Sequence, residues 1–329
     1  MSVGRTGGRV IQTFRDAFTF ATKDVTQWFP GHMNKGMKQM QSKLKHVDCI
    51  IEVQDARIPF TGRNPKFESH LMIRPHLLLL NKVDLADMTR KSEIVAKLKE
   101  YGVGNILFAN SKRDFDNTIK YKLIPKVMEL IKNSPRYHRQ ESQDYNLLVI
   151  GVPNVGKSSF INSMRRMHLK KGKATRVGGV AGVTRSVLEK ITVSAYPRMY
   201  LLDTPGILSP DVRNVEVGMR LALCSTLQDH LVGPEIIADY MLYWLNKHNR
   251  FEYVSHYGLE SPTDDIMELL GHIAKSRNYS IKIRSLTQLG LTIRPDLNRT
   301  ANVVLQDFRN GTFGRIMLDT DYLSQDSET

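Results

Sequence analysis

The segment Leu147-Leu-Val-Ile-Gly-Val-Pro-Asn-Val-Gly-Lys-Ser158 places a short apolar run directly before a glycine-containing loop. From Gly151 onward it matches G-x-x-x-x-G-K-[ST], the pattern of phosphate-binding loops, and the following residues predict a helix over Lys157–Met164. Glycines let the backbone turn so that successive N–H groups face phosphate oxygens, and the start of the helix adds its dipole. Because a strand precedes the loop and a helix follows it, the sequence predicts a nucleoside phosphate site.

The polar side chains of this loop suit a bound nucleoside triphosphate. Lys157 would neutralise charge on the β and γ phosphates, and Ser158 would ligate Mg²⁺. Contact with the nucleotide is expected from consecutive residues of the loop and the first turn of the helix, namely Asn154, Val155, Gly156, Lys157, Ser158 and Ser159.

Two further segments are expected to close on the phosphates. In Asp203-Thr-Pro-Gly206, which follows a predicted strand, Asp203 suits a water-mediated contact with Mg²⁺ and the Gly206 amide suits the γ-phosphate. Lys170–Arg185 is rich in Gly, Lys and Arg, and its Thr184 would close on Mg²⁺ and the γ-phosphate as a first switch. The cations of this loop either contact RNA or form a solvated face. The expected Mg²⁺ ligands are Ser158, Thr184 and Asp203, with Lys157 and Thr184 also acting in catalysis.

A candidate base-reading motif, Asn81-Lys82-Val-Asp84, lies at the end of the apolar run Leu77–Leu80. Asp84 can accept two hydrogen bonds from the N1–H and N2–H₂ groups of guanine, whereas adenine would leave the carboxylate unpaired. Asn81 would support the loop and Lys82 would lie over the base plane. One β-α unit later, Asn110-Ser111-Lys112 occupies the place where guanine-binding proteins have Ser-Ala-Lys, so all three residues are candidate nucleotide contacts.

The order of these motifs is a circular permutation, because the base reader precedes the phosphate loop along the chain. The sheet can close in the same way, since a permutation only moves the chain ends. Short apolar runs alternate with helical patterns, which predicts a doubly wound α/β domain with a mostly parallel sheet. The predicted strands are Val47–Val53, Leu77–Leu80, Ile106–Ala109, Leu147–Ile150, Val187–Val193 and Met199–Leu202, and the helices between them include Glu93–Glu100 and Thr118–Ile131.

The two ends of the chain differ in character from this domain, which we assign to residues 27–209. From Pro234 the apolar spacing is helical, and a last helix over Asn298–Arg309 ends before Gly311, so we expect a smaller helical C-terminal domain over 210–329 with a disordered polar tail. Residues 1–26 carry Arg5, Arg9 and Arg15 opposite Val10, Ile11, Phe14 and Phe18 at helical spacing. They are either a mitochondrial targeting segment or an ordinary basic helix that stays with the fold.

Composition narrows the class of protein. A formal net charge of +14 indicates an anionic partner or simply a basic soluble protein. Two cysteines without metal-ligand spacing favour a reducing compartment, with neither a disulfide framework nor a zinc site. No apolar run approaches the roughly 20 residues that a membrane helix needs. We therefore expect a soluble protein that is at most peripheral to a membrane.

The motif order, with Trp28-Phe-Pro-Gly-His32-Met33 and Asp55-Ala-Arg57-Ile-Pro59, resembles the YlqF/RbgA family of circularly permuted GTPases over roughly Gln27 to Gly206. The resemblance implies GTP hydrolysis during assembly of the large ribosomal subunit, activation by that subunit, and rRNA contact by the C-terminal domain. With the arginine-rich N-terminus it implies a mitochondrial member on the matrix side of the inner membrane, and we expect a monomer. Candidate cations for rRNA phosphates are Lys275, Arg277, Lys282, Arg284, Arg294 and Arg299.

The sequence leaves open which side chain orients the attacking water. Ile207 and Leu208 follow Gly206, so the glutamine that orients water in many GTPases is missing there. The resemblance makes His32 the candidate, or else a structural histidine in a Pro-Gly turn. Asn154 either recruits K⁺ beside the phosphates, as in related loops, or stabilises the turn. The chain is then either a GTPase timer of subunit assembly or a low-turnover GTP-binding scaffold on rRNA or a membrane.

Overall fold

The structure is a computed structural model that divides into two compact units. The residues it describes are 14–20, 44–63, 74–113, 115–136, 139–169, 190–195, 197–203, 212, 214–284 and 291–323. One unit, the sheet unit, comprises Thr22–Gly233 with Arg309–Thr329, and the other, the helical unit, comprises Met1–Ala21 with Pro234–Phe308. The boundary expected after residue 209 differs from this division, because residues 215–232 and the last residues before 324 bury their apolar side chains in the sheet unit.

A six-stranded sheet forms the centre of the sheet unit, with the strand order β3-β2-β1-β4-β6-β5. All neighbouring strands are parallel except β5, which is antiparallel to β6. The predicted doubly wound, mostly parallel architecture is therefore confirmed. The strands are β1 (Cys49–Asp55), β2 (His76–Asn81), β3 (Ile106–Phe108), β4 (Tyr145–Ile150), β5 (Lys190–Ala195) and β6 (Arg198–Asp203).

Continuous apolar runs explain why the central strands are buried on both faces. Leu77 and Leu79 point into one core cluster, while Leu78 and Leu80 point into a second cluster on the opposite face. Every residue of β1 is buried as well. Parallel strands covered by helices on both sides have this composition. Their carboxyl ends meet at one edge of the sheet, where the predicted motifs of the sequence begin.

Helices cover the sheet; the first four along the chain correspond to the three predicted helices with shifted ends, while the two that follow β6 had not been predicted. They are α1 (Lys91–Glu100), α2 (Phe115–Thr118), α3 (Ile124–Lys132), α4 (Lys157–Leu169), α5 (Val215–Leu223) and α6 (Asp229–Val232). A π-helical turn, Ile119–Leu123, connects α2 and α3 and buries Ile119 and Leu123. Short 3₁₀ turns occur at Leu44–His46 and Thr320–Leu323.

A buried carboxylate fixes the linker that joins the permuted halves of the sheet unit. Asp48, which is 3% exposed, accepts hydrogen bonds from Arg136 Nε (3.0 Å), Arg139 Nε (3.1 Å to Oδ2) and the backbone N–H of Asn146 (2.7 Å). Arg136 also donates to the carbonyl oxygens of Ser142 and Asp144. This linker follows α3 and leads into β4, so the ion pairs hold it against the start of β1.

The helical unit contains α7 (Pro234–Lys247), α8 (Glu252–Tyr257), α9 (Ile266–Ser276) and most of α10 (Leu297–Asn310). Gly311 follows α10 with φ of 86°, which fits the predicted helix end. The expectation of helices alone was incomplete here, because β7 (Ser280–Arg284) and β8 (Leu291–Pro295) form an antiparallel pair. Its strands alternate apolar and charged residues, and this period of two is typical of a hairpin.

The N-terminal residues 14–20 pack on the helical unit without forming a helix. Arg15 forms ion pairs with Asp239 (2.8 Å) and Asp264 (3.1 Å), and Phe18 packs edge-on against Tyr240. The helix expected through Phe14 and Phe18 is therefore wrong over these residues, whose rings instead pack on Phe251 and Tyr240 in a segment without helical turns. Arg5, Arg9, Val10 and Ile11 lie outside the described residues, as does the polar tail from Ser324. Within the described part, no helix is long and apolar enough to cross a membrane.

We expect the substitution Asp48→Ala to lower the free energy of unfolding by about 3 kcal/mol, because it removes a buried carboxylate from two half-buried arginines. Urea denaturation followed by circular dichroism measures this change. The matched control is Asp116→Ala, which removes an exposed ion pair with Arg166 and should change stability by less than about 0.5 kcal/mol. Equal effects of the two substitutions would contradict the structural role of Asp48.

Candidate nucleotide site

The side-chain amide of Asn81 joins the three loops that the sequence assigned to base and phosphate recognition. Asn81 is the last residue of β2 and is fully buried. Its Nδ2 donates to the carbonyl oxygen of Val155 at 2.9 Å and to Ser111 Oγ at 3.1 Å, and its Oδ1 accepts from the Ser111 N–H at 3.0 Å. The structure therefore brings together the base-reading motif, the following base loop and the phosphate loop.

Two glycines of the phosphate loop are required by this close packing. A Cβ atom on Gly156, whose φ is 101°, would lie 2.2 Å from Asn81 Nδ2. A Cβ on Gly151 would lie 2.2 Å from the carbonyl oxygen of Val53 in the neighbouring strand. No side chain fits at these distances, and φ values in the left-handed region favour glycine. At these two positions the phosphate loop passes too close to Asn81 and to β1 for any residue other than glycine.

Lys157 lies across the phosphate loop with its ammonium group directed at loop carbonyls. Its Nζ donates to the carbonyl oxygens of Gly151 (3.0 Å) and Val152 (2.9 Å), and the side chain is largely buried. Ser158 and Ser159 follow in the first turn of α4 and are half-buried. This arrangement places a cation and the positive end of a helix dipole at the same loop, as phosphate binding requires.

Asn154 at the tip of the loop has a structural contact that the sequence did not reveal. Its φ is 60°, and its Nδ2 donates to the carbonyl oxygen of Ser225 at 2.7 Å. Ser225 follows the end of α5 and itself has a φ of 59°. This hydrogen bond supports the loop-stabilising interpretation of Asn154. A backbone acceptor of this kind leaves no signal in the sequence.

The base-reading loop is held by a buried ion-pair cluster. Asp55 Oδ2 lies 2.8 Å from Arg57 Nη2 and 2.9 Å from Lys82 Nζ. Burial of Asp55 opposes its ionisation, but Arg57 and Lys82 outweigh this effect and hold the pKa of the carboxyl well below its usual range. Lys82 has φ of 61°, and Asp84 two residues later is half-buried. The ammonium group of Lys82 is thus fixed by Asp55 beside the expected base position.

The side chain of Asn110 bonds within the base loop itself. Its side-chain oxygen accepts from the backbone N–H groups of Lys112 (2.9 Å) and Arg113 (3.3 Å), so Asn110 stabilises its own turn. Ser111 faces Asn81, while Lys112 is exposed. The departure from Ser-Ala-Lys is therefore accommodated by an asparagine turn that presents Ser111 to the base-reading strand.

Two of the residues expected to bind Mg²⁺ belong to elements that meet at the same edge of the sheet. Asp203 ends β6 and pairs in register with Val149 of β4, just before the phosphate loop, and Ser158 lies in the first turn of α4. Hydroxyl and carboxylate oxygens are the ligands that this hard cation prefers, so the donor set fits it. Thr184, Gly206 and His32 lie outside the described residues, and the side chain of Asp203 is likewise not described.

The segment around Ile316 is a neighbour of the base-reading loop that sequence reasoning missed. The Ile316 N–H donates to the Leu85 carbonyl oxygen at 3.0 Å, and the Asp87 N–H donates to the Ile316 carbonyl oxygen at 3.3 Å. The apolar run Ile316-Met317-Leu318 between polar neighbours was the available signal that this stretch is buried.

Comparison with known proteins agrees with the site. Residues 146–257 match the family model described as 50S ribosome-binding GTPase. The chain is 52% identical over 318 residues to mitochondrial ribosome-associated GTPase 1 of Mus musculus, covering 96% of this chain and 97% of that protein. It is 31% identical over 300 residues to ribosome biogenesis GTPase A of Bacillus cereus, covering 90% and 94% of the two chains.

Solved structures agree on the fold. GNP-bound YlqF from T. maritima is 22% identical, with a TM-score of 0.52 over 86% of this chain and 97% of that chain. The GDP-bound form gives a TM-score of 0.50 over 85% and 98%. With relatives of this identity along nearly its whole length, and with the permuted motifs joined at Asn81, the chain belongs to the YlqF/RbgA family of circularly permuted GTPases.

Proposed function

We propose that this GTPase is an assembly factor for the large subunit of the mitochondrial ribosome, in which the bound nucleotide controls docking and release. The observation that carries the nucleotide part is the set of hydrogen bonds from Asn81 to Ser111 and Val155, because it makes one site from the base reader and the phosphate loop. The ribosomal part is supported by relatives named for ribosome association and ribosome biogenesis.

In the proposed complex, Asp84 accepts hydrogen bonds from the guanine edge while Asn81, Lys82, Asn110, Ser111 and Lys112 shape the base pocket. The phosphates lie on the N–H groups of residues 154–159, with Lys157 and the Gly206 amide at the γ-phosphate. Ser158, Thr184 and Asp203 hold Mg²⁺, which supplies charge to the phosphoryl oxygens when bound. K⁺ is proposed only beside Asn154, whose contact with Ser225 gives it a structural role with or without a cation.

Hydrolysis in this proposal is slow until the ribosomal subunit orders the catalytic segment. Ile207 and Leu208 have no group that can orient water. The side chain proposed for this role is His32 in Trp28–Met33, which would accept a hydrogen bond from the attacking water and so orient it. A purely structural histidine in the Pro-Gly turn is the competing explanation, and a variant at this position separates the two.

Docking is proposed to use the basic surface of the helical unit. Five of the candidate cations are exposed, and they lie on α9 or directly after it, on the β7–β8 pair and on α10: Lys275, Arg277, Lys282, Arg294 and Arg299. Exposed lysine and arginine neutralise rRNA phosphates and release counterions, which supports contact with rRNA. Arg284 is the sixth cation proposed for this surface.

The proposed location is the mitochondrion, on the matrix side of the inner membrane, with a monomeric protein in peripheral contact with the membrane. The mitochondrial names of the relatives at about half identity support the organelle. The alternative function is a low-turnover GTP-binding scaffold on rRNA or the membrane, and the feature that favours it is the lack of a glutamine after Gly206. Subunit-stimulated turnover separates the two functions.

We expect Asp84→Asn to weaken GTP binding by about 100-fold and to strengthen binding of xanthosine triphosphate. The amide cannot accept both guanine N–H donors, whereas its own N–H₂ can donate to the carbonyl oxygen at C2 of xanthine. Isothermal titration with GTP, xanthosine triphosphate and ATP measures the change. Asp87→Asn is the control, because Asp87 lies just outside the motif. Unchanged preference for GTP in Asp84→Asn would refute the base-reading role.

We expect mitochondrial large subunits to raise GTP hydrolysis by about 100-fold or more, and His32→Ala to remove most of this stimulation. Phosphate release is measured with and without purified subunits for the wild type, for His32→Ala and for His230→Ala, an exposed histidine that serves as control. If subunits stimulate hydrolysis normally in His32→Ala, a group other than His32 orients the attacking water. A wild-type rate that subunits do not change would favour the scaffold function.

A further inference from the structure

The last residues that the structure describes form a strap on the sheet unit. This C-terminal strap, Gly311–Leu323, follows α10 and belongs to the same compact unit as the sheet. Ile316, Met317, Leu318 and Leu323 are each less than 9% exposed, and Met317 and Leu323 belong to the core cluster that includes Leu78 and Leu80. Tyr322 stacks on Phe60 with ring centroids 5.2 Å apart. The strap is therefore part of the core beneath β2 rather than a free tail.

The strap bonds to the backbone directly after the guanine-reading aspartate. Leu85 is the next residue after Asp84, and its carbonyl oxygen accepts from the Ile316 N–H at 3.0 Å. The Asp87 N–H donates to the Ile316 carbonyl oxygen at 3.3 Å. On its other side, the Leu85 N–H donates to the Lys82 carbonyl oxygen at 2.9 Å. The orientation of Asp84 thus depends on two anchors, its own turn and the strap.

Asp319 fixes the strap to the loop that follows β1. Its carboxylate has no exposed area and accepts from the Phe60 N–H (2.8 Å), the Thr61 N–H (2.8 Å) and Thr61 Oγ1 (2.5 Å). One residue earlier, the Leu318 N–H donates to the Arg57 carbonyl oxygen at 2.9 Å. Arg57 is the partner of Asp55, which holds Lys82, so the strap also supports the ion pairs on the other side of the base-reading loop.

The same strap is ion-paired with the helix that follows the Asp203–Gly206 motif along the chain. Arg220 of α5 donates from Nη1 to Asp321 Oδ1 at 2.7 Å and approaches Asp319 Oδ1 at 3.4 Å. Arg309, just before the strap, donates to the carbonyl oxygens of Ala222 and Leu223 at the end of α5. Through these contacts, one segment of about a dozen residues touches both α5 and the base-reading loop.

We propose that Asp319 is a positioning residue for guanine recognition, which holds the strap so that the base-reading loop presents Asp84 to the N1–H and N2–H₂ groups of the base. The proposal rests on the proposed role of Asp84. A carboxylate that accepts three short hydrogen bonds and faces an arginine cannot be replaced without leaving donors unpaired. The displaced strap would then release the Leu85 carbonyl oxygen and loosen the loop.

A merely structural role for Asp319 predicts a different pattern of effects. Loss of stability alone lowers the fraction of folded protein, and it therefore lowers the apparent affinity for every nucleotide by the same factor. Loss of positioning reduces the contribution of the guanine N2–H₂ group, because that group bonds only to a correctly placed Asp84. Inosine triphosphate lacks this amino group, so the ratio of GTP to inosine triphosphate affinity measures the position of Asp84 independently of folding.

The experiment compares Asp319→Asn with the wild type and with Asp48→Asn in the full chain. Asp48→Asn is the matched control, since Asp48 is also a buried carboxylate with arginine partners in the sheet unit but contacts neither the strap nor the base-reading loop. Affinities for GTP and inosine triphosphate are measured by isothermal titration, and unfolding midpoints are recorded alongside. We expect Asp319→Asn to bind GTP about tenfold more weakly and to lower the ratio of GTP to inosine triphosphate affinity by about fivefold. Asp48→Asn should keep the wild-type ratio.

If Asp319→Asn does not fold, Arg220→Lys supplies the same test, because it keeps the charge but shortens the reach to Asp321. Discrimination equal to that of Asp48→Asn in the folded variant would overturn the proposal. Asp84→Asn, measured in the same series, separates this failure from failure of the base-reading assignment. If Asp84→Asn loses the discrimination and Asp319→Asn keeps it, only the positioning role of Asp319 is refuted. If Asp84→Asn itself keeps the discrimination, the base-reading role of Asp84 is refuted as well.

Discussion

The buried amide of Asn81 is the interaction on which the rest of the nucleotide site depends. Both hydrogens of its amide group and its oxygen have partners on two other loops, Val155 in the phosphate loop and Ser111 in the base loop. Loss of these partners would lower the free energy of unfolding by about 1–3 kcal/mol for each polar group left buried and unpaired. The geometry also demands glycine at residue 156, because any Cβ there would meet the amide nitrogen. The base and phosphate halves of the site are therefore one packed unit.

Sheet order explains why the permuted chain can build this unit. β2 carries Asn81 and β4 leads into the phosphate loop, and both are hydrogen-bonded to β1 between them. Parallel strands end at one edge, so the two loops meet whichever of them comes first in the sequence. The permutation instead creates a new linker between α3 and β4. Asp48 fixes this linker with two arginines, which gives the joint its own buried ion-pair cluster.

How much the sequence could predict follows from the range of the interactions. The strands Leu77–Leu80 and Leu147–Ile150 and the helix after Lys157 were predicted because apolar runs and glycine patterns are local signals. The contact of Asn154 with Ser225 and the place of Ile316 beside Leu85 were missed, since each contact ends on a backbone carbonyl oxygen far away in the chain. For the same reason the domain boundary was set after residue 209, although the strap returns to the sheet. The alternating β7–β8 hairpin was a local signal that the helical assignment overlooked.

The binding of GDP to an Asn81→Asp variant tests the central claim, the joining of the two half-sites, most directly. The aspartate has nearly the same shape, but it cannot donate to the Val155 carbonyl oxygen and places a negative charge against it. Isothermal titration should show GDP binding weakened by about 100-fold, while the unfolding midpoint without nucleotide identifies any loss of folded protein. A folded variant that binds GDP within about twofold of the wild type would contradict the account, because the two loops would then form the site without this amide.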